Sequence, residues 1–212
     1  MTALKDFDKH LTQSERKLLS GLTSPFKLQT FLDEVPYSTE ERYRCPLAVL
    51  RDRRAHCFDG ALFAAAALRR LGYPPLIVDI LPGDDDDHLL AIYKVDGYFG
   101  AVAKSNFVGL RFREPVYRTL RELALSYFDD FYNVKGEKTL RGYTVPLNLK
   151  AFDKRGWLWN DAPLDAIAGR LDEIRKVRLL TPAMIRRLSP MDKRSYEAGM
   201  LGTNPAGLYK PT

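Results

Sequence analysis

The chain has 212 residues, 45% hydrophobic and 28% charged, with two cysteines and a net charge of +6. This is close to the globular average and long enough for one full core. No apolar run approaches the roughly 20 residues of a membrane span, and the charged start MTALKDFDKHLTQSERKLL is unlike a secretion signal, so a cytoplasmic protein without membrane contact is expected.

Cys45 and Cys57 then read as free thiols, not a disulfide. The positive charge is concentrated after residue 150, where 11 Lys and Arg stand against 7 Asp and Glu. There it alternates with acids and core positions on amphipathic patterns such as LDEIRKVRLL, without interleaved aromatics. That is a solvated helix face, and no nucleic-acid partner is expected.

Along the chain, TQSERKLLSGL carries a capping signal before an amphipathic turn that ends at Gly21. SPFKLQTFLDEVPY is a second helix, with Phe26, Leu28, Phe31 and Leu32 on its apolar stripe and Pro36 as its stop. YRCPLAVLRDRRAH is a loop or short helix rich in arginine. From Cys57 to about Leu71 the pattern is helical with almost no polar face, which predicts a central buried helix. LIVDIL is a strand buried on both faces, and the aspartates 84 to 87 form a solvated acidic loop. HLLAIYKV, Asp96-Gly97 and YFGAVAKS predict a hairpin with a type I′ turn, in which paired positions sum to 193 and His88 falls opposite Ser105. REPVYRTLRELALSYFDDFYN reads as one long amphipathic helix, GYTVPLNLKAF as an edge strand because of Pro146, and the remainder as helices.

Cys57 carries the chemical signal. A thiol at a helix N-terminus meets unpaired N–H groups and the positive end of the helix dipole, which favour thiolate, the form that attacks carbonyl carbon. His88 follows 31 positions later at a strand start and supplies the imidazole that nucleophilic catalysis by cysteine requires. His56 and Asp59 flank the thiol, and Asp59 complements the dipole. The arginines before Cys57, including Arg44, Arg51 and Arg54, suit either a substrate anion or the acidic loop. The consecutive aspartates cannot converge on one ion, so no metal and no cofactor are expected.

The cysteine opening HCFDGALFAAAALRRLGYPP and the histidine opening HLLAIYKVDGYFGAVAKSNF together resemble the transglutaminase-like superfamily, which includes the arylamine N-acetyltransferases within the wider papain-like fold. The resemblance covers roughly Ser24 to Asn106 and implies a Cys–His pair oriented by an acid on the next strand. That acid would fall at Ala103 or Lys104, neither of which can accept the bond, which leaves Ser105 and Asn106 as polar substitutes.

The expectation is one α+β domain over residues 1–212 with a transglutaminase-like core, a Cys-bearing helix packed on an antiparallel sheet. An N-terminal helical arm spans 1–23, the core 24–150 and a C-terminal helical extension 151–212. Its expected activity is hydrolysis or acyl transfer on a peptide, amide or small acyl substrate, with Cys57, His88, and Asn106 or Ser105 as the catalytic set. The alternative is a catalytically degenerate binding or scaffold module of the same fold.

Overall fold

The computed structural model describes residues 3–211. Helices α1 (Ala3–Lys9), α2 (Gln13–Gly21), α3 (Pro25–Glu34) and α4 (Pro46–Asp52) lead to the central helix α5 (Cys57–Arg70). Strands β1 (Leu76–Pro82), β2 (His88–Val95), β3 (Tyr98–Val102) and β4 (Arg113–Tyr117) follow, then α6 (Leu120–Leu125), β5 (Leu140–Thr144) and β6 (Leu147–Asn148). The chain continues through α7 (Leu164–Glu173), β7 (Lys176–Arg178), α8 (Pro182–Ile185) and α9 (Lys193–Gly199). Among the described residues, no helix is long and apolar enough to cross a membrane.

Local signals set the helix starts. Thr12 Oγ1 accepts the Glu15 N–H while Glu15 accepts the Thr12 N–H, a reciprocal box that satisfies two otherwise open donors of α2. Ser24 Oγ accepts from Lys27 N ahead of Pro25, whose fixed φ suits the first position of α3. In α5 every residue from Phe58 to Leu68 is buried. Its alanines let α3, α4 and the sheet approach closely, and Phe58, Leu62, Phe63 and Leu68 each contribute roughly 1.5–3 kcal/mol on burial. The closest approach is at Gly60, where an added Cβ would stand 2.2 Å from Lys104 Cβ.

Seven strands form one antiparallel sheet in the order β4-β3-β2-β1-β5-β7, and β6 pairs with β1. Alternation along the strands divides two cores. Ile77, Leu89, Ala91 and Tyr93 pack toward α5, while Val78, Ile80, Leu90 and Ile92 join Leu123, Tyr127 and Phe131 on the other face. The architecture is α+β, a Cys-bearing central helix on an antiparallel sheet with helices at both ends.

The β2–β3 hairpin has the expected register, Ala91 opposite Val102 and Val95 opposite Tyr98, around a turn with Asp96 and Gly97 both at positive φ. Pairing stops at Val102, so position 105 never comes opposite His88 in the ladder. Three expected elements differ. The long helix from Arg113 is instead β4 followed by the six-residue α6. Pro115 lacks an N–H and cannot sit inside a helix, and Thr119 caps afresh by accepting from Glu122 N. The single edge strand expected around Pro146 is instead two strands, β5 and β6, on either side of it, and β5 lies between β1 and β7 and is not an edge. The segment after residue 150, expected as helices, returns β7 to the sheet against β5.

Candidate active site

The start of α5 is held by a network of buried charge. His56 is the N-cap, its Nδ1 accepting from Phe58 N at 3.2 Å, and Asp59 accepts from His56 N at 3.4 Å and from Arg44 N at 2.7 Å. The buried Arg44 guanidinium pairs with Asp59 (3.7 Å), Asp52 (3.1 Å) and Glu40, and donates to Ser38 Oγ (3.1 Å). Burial, then the charge of Arg44, pushes His56 down to about 4, so it is neutral. Burial also lifts Asp59 to about 7 against the opposing pull of Arg44 and its N–H bonds. The other arginines are similarly paired, Arg51 with Glu15 at 2.8 Å and Arg54 with Glu40 at 3.1 Å. These partners lie on α2 and in the loop before α4, not on the acidic loop.

Cys57 is partly open to solvent, and its Sγ lies 4.0 Å from the Asp87 carbonyl. Burial pushes the thiol well above its ordinary value, and Asp87 and Asp86 push the same way. The expected resting thiolate is therefore replaced by a thiol. A helix terminus contributes about 0.3–2 kcal/mol, roughly one pKa unit, which is smaller than desolvation and two nearby carboxylates combined.

His88 is buried at the first position of β2. Its Nε2 meets the Leu110 carbonyl at 2.6 Å, and its ring packs edge-on against Tyr127 and Phe131. A carbonyl can only accept, so Nε2 carries the proton and Nδ1 of the neutral ring holds the lone pair. Burial pushes the imidazole down to about 4, with Arg113 acting in the same direction and the Leu110 bond opposing. The imidazole is thus held by a main-chain oxygen. Residue type gave no sign of it, because every residue has a carbonyl.

Neither polar substitute takes that place. Asn106 makes two bonds with Asn204, its Nδ2 donating to Asn204 O at 2.9 Å and its Oδ1 accepting from Asn204 N at 2.8 Å. Ser105 Oγ accepts from Phe107 N at 2.9 Å. β3 has ended before both residues, so Ser105 turns to the local backbone and Asn106 to the distant Asn204. Ala103 is clamped by Gln29, which accepts from its N–H and donates to its carbonyl. Lys104 runs past Gly60 to donate to the carbonyls of Leu32 and Val35, and burial lowers its ammonium to about 8.

Cys57, His88, Ser105 and Asn106 nevertheless line one narrow cleft of about 40 Å³, together with Tyr37, Leu110 and Tyr209. A wider cavity of about 380 Å³ adjoins it at Cys57 and is lined by Tyr37, Tyr43, Asp79, Asp87, Asp172 and Tyr209 among others. Tyr37 has its phenol raised by burial and by Cys57, with the Cys57 backbone N–H as a smaller opposing bond. The Asn106–Asn204 pair fastens the segment before Gly207, which lies so close to Tyr37 that an added Cβ would be 2.9 Å from its ring.

In the wider cavity the buried Asp79 and the exposed Asp87 act on each other electrostatically. Burial, Asp87 and Asp172 lift Asp79 to about 8, and Lys176 opposes more weakly. Burial and Asp86 lift Asp87 to about 6. The acidic loop is solvated as expected at Asp84, Asp86 and Asp87, the last two at the rim of the cavity, while the half-buried Asp85 accepts from Thr139 Oγ1 at 2.6 Å. One sequence signal for Asp79 exists, a lone acid inside the otherwise apolar LIVDIL.

The chain matches no family profile and no curated protein. Among solved structures it is similar to Legionella pneumophila LapG (EGTA-treated), at 12% identity and a TM-score of 0.41, over 81% of this chain and 98% of that one.

Proposed function

We propose that the chain is a transglutaminase-like cysteine hydrolase or acyltransferase acting on an amide or ester carbonyl, with Cys57 as nucleophile and His88 as proton carrier. The observation that carries this reading is the His88 Nε2 bond to the Leu110 carbonyl. It fixes the tautomer whose Nδ1 can accept a proton, the part an acid or asparagine plays in a cysteine triad. Thiol and imidazole both start neutral, so proton transfer accompanies attack instead of preceding it. Negative charge developing on the substrate oxygen would be met by the Cys57 backbone N–H and the Tyr37 hydroxyl. Water resolving the acyl-enzyme gives hydrolysis, and an amine gives transfer.

A burst assay with 4-nitrophenyl acetate tests the proposal. One nitrophenolate per chain, an acetyl group on the Cys57 peptide, no burst in Cys57→Ala and a burst slowed by at least ~100-fold in His88→Ala are expected. A second reading, a non-catalytic binding module, has the raised thiol in its favour. Acylation that is absent, or indifferent to His88, would establish it.

A further inference from the structure

We propose that the wider cavity beside Cys57 receives an organic cation, a guanidinium or primary ammonium group carried by the substrate, with Asp79 as its buried counter-charge. The inference deepens the thiol-acyl reading and rests on it for the word substrate, but the binding it describes does not require catalysis.

The first observation is charge distribution. The chain carries a net charge of +6, yet no lysine or arginine lines this cavity, while Glu40, Asp79, Asp86, Asp87 and Asp172 do. Glu40 already has Arg44 and Arg54, so the four aspartates set its character.

The second observation is independent and concerns one atom. Asp79 is 3% exposed, and its Oδ1 has no hydrogen-bond partner. Buried acceptors are ordinarily satisfied, and a bare carboxylate oxygen at a cavity wall calls for a donor from whatever fills the cavity. The Asp79 main-chain N–H donates to Thr144 Oγ1 at 3.0 Å, while Oδ1 of the carboxylate has no partner of its own. A cationic N–H group supplies both the donor and the opposite charge that draws Asp79 toward its ionised form.

The walls fit the same ligand. Tyr37, Tyr43 and Tyr209 border the space, and aromatic faces attract guanidinium and ammonium groups. A metal ion suits the site less well, because among the described residues no three His, Cys, Asp or Glu side chains are grouped to hold one.

The test is calorimetric titration of full-length Cys57→Ala protein with Nα-acetyl-arginine amide and with its neutral isostere Nα-acetyl-citrulline amide. The arginine compound is expected to bind at least ~10-fold more tightly, and Asp79→Asn and the solvent-exposed Asp172→Asn are each expected to reduce that preference several-fold. Asp172→Asn guards against a folding defect in the buried variant. Equal binding of the two compounds, a preference unchanged in both variants, or no heat from either at millimolar concentration would overturn the proposal. The wild-type nitrophenyl acetate burst separates the two claims. A preference for arginine without a burst leaves the cation site standing and removes the nucleophile; a burst without the preference does the reverse.

Discussion

His88 and Leu110 are joined at 2.6 Å by a bond in which the ring donates and the main chain accepts, so a residue without a polar side chain orients the imidazole. A neutral histidine pushed down to about 4 remains a base through the mildly acidic range. The burst rate is expected to stay level from pH 7 to pH 5. A limb centred near 6.5 in a stopped-flow pH profile would mean a solvated imidazole and would contradict the buried geometry.

The same group fixes the sign of an acid effect on stability. His88 is protonated below about 6.5 in the unfolded chain but only below about 4 when folded, so the unfolded state binds more protons between those values. Its contribution is complete above pH 6.5 and disappears as pH falls through 4. Thermal denaturation of His88→Gln should show a weaker loss of Tm over that window than the wild type.

Asp79 works in the opposite sense. With a folded value raised to about 8 against 3.8, the folded state binds the extra proton between those limits, and stability falls as pH rises through the window. Asp79→Asn mimics the protonated form, so its Tm should draw level with the wild type near pH 4. By pH 9 it should exceed it by ~2–4 °C for each ~1 kcal/mol relieved. Equal Tm differences at the two pH values would show that Asp79 is an ordinary carboxylate.

Tyr127 holds the segment that presents Leu110. Its hydroxyl donates to Arg111 O at 2.8 Å, and the Arg113 guanidinium lies 4.0 Å over its ring. Tyr127→Phe should cost about 1 kcal/mol of stability in urea unfolding while slowing acylation of Cys57 by more than tenfold at temperatures where the variant is fully folded. An unchanged burst rate would separate this hydroxyl from the positioning of His88.

Gly60→Ala places a methyl against the Lys104 stem, 2.2 Å from Cβ to Cβ. Both partners are buried, so the expected penalty is about 1–3 kcal/mol, read as a lower urea midpoint. The shift should also change iodoacetamide labelling at Cys57 but not at Cys45, a buried thiol that desolvation pushes up to about 12.

The central helix and the hairpin were legible because each is fixed by several neighbouring residues that agree. In α5 the apolar run from Phe58 to Leu68 and the stop at Gly72 point the same way, and in the hairpin two alternating strands flank Asp96-Gly97. The segment from Arg113 was misread because its apolar spacing fits a helix, whereas Pro115 and the cap at Thr119 divide it. Cys57 and His88 could be singled out by residue type and position, and the structure puts both on one cleft. Leu110 was not, because its role lies in a carbonyl. The nearness of Asp79 in β1 to Asp87, just before β2, depends on those two strands folding back on each other, and nothing local in either segment announces it.

The cavity wall formed by Gly207 and Tyr209 lies about 150 positions beyond the thiol it borders, fastened through Asn106 and Asn204. During synthesis the thiol and the imidazole leave the ribosome long before that wall exists. A growing chain therefore lacks one wall of the cavity at Cys57 until residues 204 to 209 emerge. The shape of the space beside Cys57 is thus set by residues made about 150 positions after the thiol.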